Sequence, residues 1–465
     1  MSGISTMTSR TTTHLKIDPA AKLVGHYTPP PDKSIAHRAL ILAALASGRS
    51  TIAPISRSAD VGSTVACLRQ LGVSIEAGKD GWVVDSPGVN DWTAPERALD
   101  CGNSGTTMRL LSGCLAGRSF DTTLIGDESL SRRPMGRIAV PLRRMSATIE
   151  MSPGDTAPIH IGGSHLRGIE YRLPVASAQV KSAILLAGLD AHGETIVIEP
   201  EPTRDHTERM LSHAGVDCHS AAPPRPADRR EQLLADSQGE ATDAEAYHRR
   251  ITLGEKRHPH AVDWRLPGDF SAAAFFIAAA VGARRADLII AGVGLNPTRT
   301  GFLKILRRMG VETEQSRDHS ATGEPVGQIR VGPVKSLKAV HVVAAETPLL
   351  IDELPMLAVL AARAEGVSVI RGAAELRHKE SDRIAAVTQN LRAMGAKIAE
   401  LEDGWAIEGP TAWHGATIDP RGDHRIAMVF SVAALWADSP SIIQNAGIVG
   451  ISDPDFYAAL TALAR

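Results

Sequence analysis

Aromatic side chains are scarce in this sequence. Phe, Trp and Tyr together make up 4% of the 465 residues, so the core has to be aliphatic and alanine-rich. Cysteine is sparser still: Cys67, Cys101, Cys114 and Cys218 form no CxxC pair and no framework spacing. That excludes a disulfide-stapled fold and favours a reducing compartment. Neither sign of charge is in excess, with 50 Lys+Arg against 52 Asp+Glu and a formal net charge of -2. A dedicated nucleic-acid or anionic-membrane binder usually carries a basic excess, so neither partner is expected. Long apolar runs are missing too. The most apolar stretch, residues 270–283, is interrupted by Ser271 and Gly282 and falls short of the ~18 residues that span a bilayer. Residues 1–17 are rich in Ser and Thr, lack the apolar segment of a secretory signal, and read as a frayed terminus. What is present, 43% hydrophobic and 22% charged residues, is ordinary globular composition and long enough for two or three domains. A cytoplasmic protein is expected.

An internal repeat organises the chain. An Ala/Leu-rich helical stretch, a small or Gly-containing break and a β-branched strand recur at residues 38–52, 109–125, 182–198, 271–290, 356–370 and 428–443. The helical parts carry too few charges to face water on any side, which predicts nearly complete burial. A second, amphipathic helix follows most copies, at residues 61–71, 302–309 and 382–394, each ending at a Gly (Gly72, Gly310, Gly395) that supplies a left-handed cap. The unit reads β-α-β-α-β-β, in six copies with a period of roughly 70–90 residues. Solenoid helices keep one wet face, so buried helices argue for copies grouped around a shared core instead. Residues 219–250 have no apolar period and read as a polar surface insertion.

Chemistry-bearing clusters sit at the starts of the buried helices. After three prolines come Lys33, Ser34 and Arg38, where helix N–H groups can face an anion. No Gly-rich run precedes Lys33, so this is not a Walker motif, and a capped helix start is the bland alternative. Gly102-Asn103-Ser104-Gly105 allows close backbone approach to a ligand. Arg132-Arg133-Pro134 offers a guanidinium from a loop, with the proline opening a helix. Ser177-Ala178-Gln179 places small polar groups at a helix mouth; in Arg204-Asp205-His206-Thr207-Glu208, Asp205 and Glu208 have capping-box spacing while Arg204 stays free. Asp352-Glu353 precedes an apolar helix. In Arg377-His378-Lys379-Glu380-Ser381-Asp382-Arg383, a helical Lys379–Arg383 face would be a surface ladder. Arg421-Gly422-Asp423-His424-Arg425 closes the set. If the helix starts converge, their dipoles and at least five cations line one cleft in a chain of net charge -2, an arrangement made for an anionic ligand.

These residues, in this order from about Leu23 to near the C-terminus and outside the insertion, resemble the 5-enolpyruvylshikimate-3-phosphate (EPSP) synthase family, in its class II branch. The resemblance implies an inside-out α/β fold: two similar globular domains, each of three β-α-β-α-β-β repeats around buried parallel helices. It implies a discontinuous first domain of residues 1–28 and 267–465, a second of residues 29–266 carrying the insertion, and closure of the two over substrate. The implied reaction moves the enolpyruvyl group of phosphoenolpyruvate to the 5-hydroxyl of shikimate 3-phosphate, without metal or organic cofactor. The only partners are those two small molecules, and a monomer is expected. By resemblance, Asp352, Glu380 and Lys33 are catalytic: Asp352 takes the hydroxyl proton, Glu380 serves the methylene carbon and Lys33 stabilises charge. Lys33, Ser34, Arg38, Ser177, Ala178, Gln179, Arg204, Asp352 and Lys379 hold shikimate 3-phosphate. Lys33, Asn103, Gly105, Arg133, Gln179, Arg383 and Arg425 hold phosphoenolpyruvate.

The sequence also departs from the family pattern. Ile451 stands where many members have a phosphoenolpyruvate-binding lysine, Asp453 where phenylalanine is usual, and Glu375 where an asparagine often meets the shikimate phosphate. Two rivals remain at this level. A UDP-N-acetylglucosamine enolpyruvyl transferase typically has Lys-Asn at Lys33-Ser34 and a loop cysteine at Glu128. A non-catalytic anion-binding relative would gain nothing from Asp352 and Glu380.

Overall fold

Helices without a charged face have nowhere to sit but inside. In the computed structural model, which describes residues 5–9, 12–221, 249–318, 322–332 and 334–464, six of them do so. They are Lys33–Leu45, Gly105–Leu115, Ala178–Gly188, Phe270–Gly282, Leu354–Ala361 and His424–Ala434. Phe270–Gly282 and Leu354–Ala361 are buried along their whole length. Packing is close where residues are small: a Cβ added at Gly113 would lie 2.4 Å from the Ala183 carbonyl oxygen of the neighbouring helix.

Each buried helix belongs to one of six sheets with a shared plan. The strand after the helix pairs parallel with the strand before it and antiparallel with the outgoing strand of a hairpin. Leu99–Asp100, Thr122–Ile125, Thr156–Gly162 and Thr148–Ser152 lie side by side in that order. Two further units are contiguous in the same way, and three borrow strands from afar. Trp264–Arg265 joins Gly48–Ala53, and Lys22–Tyr27 joins Arg285–Gly294, both in parallel. Thr12–Ile17 and Ser5–Ser9 complete the sheet of Ser441–Ile443. The N-terminal region read as frayed therefore supplies a hairpin, because the sixth repeat lacks one of its own. The left-handed caps fall as expected, with φ of +92° at Gly72, +91° at Gly310 and +94° at Gly395.

The apolar side chains form two clusters, one from residues 35–266 and one from residues 15–27 with 270–463. Helices fill the inside and sheets the outside of each half, the inside-out α/β arrangement. The chain passes between halves twice, side by side: the Asp32 N–H donates to the Pro267 carbonyl and the Asp269 N–H to that of Pro30, both at 2.8 Å. Among the described residues no helix is long and apolar enough to cross a membrane.

Four local expectations are corrected. The ends of the 219–250 insertion are not loop: Cys218–Ala221 and Arg249–Leu253 pair antiparallel, and residues 222–248 lie outside the described set. Pro134 stands outside the helix it precedes, between the one-turn helix Glu128–Ser131 and the helix Gly136–Arg144, whose cap is Met135. Asp205 and Glu208 make no capping box, since Glu208 instead pairs at 2.8 Å with the fully buried Lys181, which also meets Glu199. Lys379 is extended and precedes the helix Arg383–Ala393, so the Lys379–Arg383 ladder does not form and Lys379 pairs with Glu375 at 3.1 Å.

Candidate active site

Asp423 is the N-cap of the buried helix His424–Ala434, where its Oδ1 accepts the Arg425 N–H at 2.8 Å. The same carboxylate receives Arg383 Nε at 2.7 Å, fixing a guanidinium that is almost wholly buried. Arg383 is thereby a hub. It donates to Glu380 Oε2 at 2.6 Å and stands 3.5 Å from Asp352 Oδ1. Asp352, from just ahead of the Leu354 helix, also pairs closely with Arg204 and lies 3.8 Å from Arg425. Arg204 belongs to the half built of residues 35–266, whereas Asp352, Arg383 and Arg425 belong to the other. Arg133 crosses the same divide and lies 3.7 Å from Glu380.

Beside this hub, Lys33 opens its helix with Nζ 2.7 Å from Asp60, and its N–H donates to Asp269 at 3.3 Å. Arg133 donates to the Asn103 side-chain oxygen at 2.7 Å, and Asn103 donates to Asp127 at 2.8 Å. At Gly105 a Cβ would lie 2.6 Å from the Arg109 guanidinium, so the glycine leaves room for a cation over the helix start. Gln179 bridges two helices, accepting from Arg109 at 2.8 Å and donating to Thr106 at 3.0 Å. Ala178 is the first residue of that helix and Ser177 its cap, accepting the Val180 N–H. Arg38 is buried one turn beyond Ser34, donating to Thr207 at 2.7 Å, Ser182 at 2.9 Å and the Ser34 carbonyl at 3.0 Å. Ion pairs bring Arg133, Arg204, Asp352, Glu380, Arg383 and Arg425 into one cluster, with Lys33 and Lys379 acting on its carboxylates; Arg38, Ser177 and Gln179 brace helix starts.

Electrostatics follow from burial with pairing. Desolvation pushes the Asp352 carboxyl up, but Arg425, Arg204, Lys379 and Arg383 outweigh it and hold the group well below the usual carboxylate range. Burial likewise opposes ionisation of Glu380, and Arg383, His424, Arg133 and Lys33 overcome it. Burial lowers Arg38 to about 10, and burial together with Arg137 and Arg133 lowers Arg109 to about 9. Buried cations crowded to this degree are arranged to be relieved by an anion.

Several contributors went unassigned in the sequence. Asp60 stands in a helix's first turn and Asp423 at a helix cap, both places where an acid is common. Arg109 sits inside a helix and Arg137 just after a glycine; Arg137 lies 3.4 Å from Glu375, bridging the halves. His424 is buried against Lys33, Asp423 and Glu380, lowered to about 4 by desolvation and Lys33, with neither ring nitrogen hydrogen-bonded among the described residues. Its place within Asp423-His424-Arg425 was the only signal that pointed to it. Of the divergent C-terminal positions, Ile451 presents its carbonyl to the Ser58 hydroxyl at 2.9 Å, so that segment bridges the halves through backbone. Asp453 is buried.

Comparison with known proteins gives one answer. A family model described as EPSP synthase (3-phosphoshikimate 1-carboxyvinyltransferase) matches residues 17–225 and 228–460. A 3-phosphoshikimate 1-carboxyvinyltransferase from Acidithiobacillus ferrooxidans is 45% identical over 96% of each chain, and one from Alkalilimnicola ehrlichii is 46% identical over 95% of this chain and 93% of its own. A solved EPSP synthase structure from Acinetobacter baumannii superposes with a TM-score of 0.81 at 41% identity, covering 98% of both chains. The enolpyruvyl transferase NikO from Streptomyces tendae, at 20% identity and a TM-score of 0.70, shares the fold.

Proposed function

The chain belongs to the EPSP synthase family, and from that premise we propose how its residues divide the work. The protein transfers the enolpyruvyl group of phosphoenolpyruvate to the 5-hydroxyl of shikimate 3-phosphate and releases phosphate. The observation that carries the assignment of roles is the placement of Arg383 between Asp352 and Glu380, with Arg204 and Arg133 reaching them from the opposite half.

Addition forms a bond from the substrate hydroxyl oxygen to carbon 2 of phosphoenolpyruvate and one from a proton to carbon 3. Elimination breaks the bond to phosphate and removes a proton from carbon 3. Asp352 takes the hydroxyl proton, Glu380 gives and retakes the carbon-bound proton, and Lys33 stabilises charge beside both. Arg133, Arg383 and Arg425, with Asn103, Gln179 and the Gly105 backbone, hold phosphoenolpyruvate, the guanidinium forks suiting phosphate and carboxylate. Arg204 and Lys379, with Ser34, Arg38, Ser177, Ala178 and Gln179, hold shikimate 3-phosphate.

In the ligand-free site both carboxylates are too acidic to move protons near neutrality, because four cations surround Asp352 and at least two cationic side chains press on Glu380. Substrate phosphates take over those cations, and each carboxyl then rises toward a useful range. The carboxylates thus serve as placeholders for the substrates' own anions. The two apolar clusters correspond in this reading to domains of residues 1–28 with 267–465 and of residues 29–266. Four buried free thiols favour a cytoplasmic protein, and one chain supplies every named site group, as a monomer would.

Phosphate release tests the reading. Purified protein is expected to release phosphate when shikimate 3-phosphate and phosphoenolpyruvate are both supplied, and not with UDP-N-acetylglucosamine as acceptor. Asp352→Ala and Glu380→Gln are each expected to lower turnover on the order of 10²–10⁴-fold. Near-normal turnover in both variants would remove the acid–base assignment.

A further inference from the structure

The loop after the strand Arg285–Gly294 takes no direct part in the charged hub, yet its polar side chains are buried: Asn296 is 2% exposed and Arg299 3%. Asn296 Nδ2 donates to Asp205 Oδ1 at 2.7 Å and to Glu324 Oε2 at 2.8 Å. The Thr298 hydroxyl donates to Asn296 Oδ1 at 2.7 Å and receives the Asp205 N–H at 3.4 Å. His206 Nδ1 meets the other oxygen of Glu324 at 2.8 Å. Asp205 and His206 come from one half of the molecule, and Asn296, Thr298 and Glu324 from the other. The residue immediately before Asp205 is Arg204, which reaches Asp352.

The next loop residue extends the pattern. Arg299 donates to the Ser271 hydroxyl at 2.9 Å and lies 3.3 Å from Asp269, 3.7 Å from Glu353 and 3.9 Å from Asp32. Asp32 adjoins Lys33 and Glu353 adjoins Asp352. One short loop therefore touches the chain neighbours of three site residues drawn from both halves.

We propose that Asn296 and Thr298 are positioning residues, docking the Arg204–His206 segment across the divide so that Arg204 meets the phosphate of shikimate 3-phosphate when the halves close. The proposal rests on the reading of Arg204 as a phosphate ligand. A polar junction suits the task. Its groups are satisfied by one another when shut and by water when open, so parting this junction strands no buried polar group. Directional hydrogen bonds also fix one register, which an apolar contact would leave loose.

Thr298→Val, which keeps the side-chain shape, and Asn296→Ala test this in the full-length protein, alongside the wild type. The readouts are the dissociation constant of shikimate 3-phosphate by calorimetry, both KM values and the thermal midpoint. Loss of one or two buried hydrogen bonds is expected to weaken shikimate 3-phosphate about tenfold in binding and in KM. The KM of phosphoenolpyruvate, at saturating co-substrate, is expected to stay close to wild type. If both variants bind shikimate 3-phosphate within about twofold of the wild type, a difference too small for a lost hydrogen bond, the positioning role is wrong. A fall in the thermal midpoint alone would overturn the role equally. Failure of the wild type itself to turn over shikimate 3-phosphate would instead overturn the functional reading beneath it.

Discussion

Asp352 and Glu380 share Arg383 but differ in their other partners. Arg204, Arg425 and Lys379 act on Asp352, while Arg133, His424 and Lys33 act on Glu380. That difference gives the two carboxylates separate sets of cations joined at one guanidinium, one set for each substrate in the proposed function. The cationic members were legible in the sequence as an ordered set placed at or near helix starts, although each taken alone has a bland reading. Their carboxylate partners Asp60 and Asp423 were not, since an acid in a helix's first turn or at its cap is ordinary. Asp453 shows the opposite electrostatic case. It occupies a buried turn, and desolvation, with Asp455 and Asp269 nearby, raises it from 3.8 to about 6. A carboxyl whose folded pKa exceeds its unfolded one stabilises the fold fully below the unfolded value and loses that contribution as pH rises through about 6. Asp453→Asn keeps an acceptor for the Asp455 N–H and removes the buried charge. Its melting temperature is expected to exceed the wild type's by a few degrees at pH 8 and to match it near pH 4, as thermal unfolding across that range would show. An equal difference at both ends would contradict the assignment.

At the scale of elements, the six buried helices were readable from the absence of a polar face, and the amphipathic ones from the glycine that ends each. Strands borrowed between units were not. Thr12–Ile17 pairs with Ser441–Ile443, more than 400 residues away in a chain of 465, and its one alternation, buried Leu15 and Ile17 about Lys16, is too short to mark a sheet. The strands flanking residues 222–248 are illegible for the same reason: Cys218–Ala221 is mostly exposed and too short for a pattern. The helix pair Gly105–Leu115 and Ala178–Gly188 carries a sharper consequence. Its contact at Gly113 has no room for a methyl, because the obstacle is the backbone oxygen of Ala183. Gly113→Ala is expected to destabilise the protein by about 1–3 kcal/mol through forced separation of the two helices. Denaturant unfolding would check it, and an unchanged midpoint would mean the helices part without penalty.

Across the whole molecule, six similar units make two halves, and the proposed chemistry belongs where charged groups of the two halves pair. The repeat itself was visible in the sequence; which residues pair across the divide was not, because Arg204–Asp352, Arg133–Glu380 and Arg137–Glu375 join segments more than 140 residues apart. A site assembled this way can surround two anionic molecules, exclude water and run addition and elimination across the same pair of carbons. Turnover in deuterated water, followed by NMR of the product, tests that claim most directly. Protonation of carbon 3 and its later reversal should leave deuterium in the enol-ether methylene. Product formed in full yield with an unlabelled methylene would contradict the account.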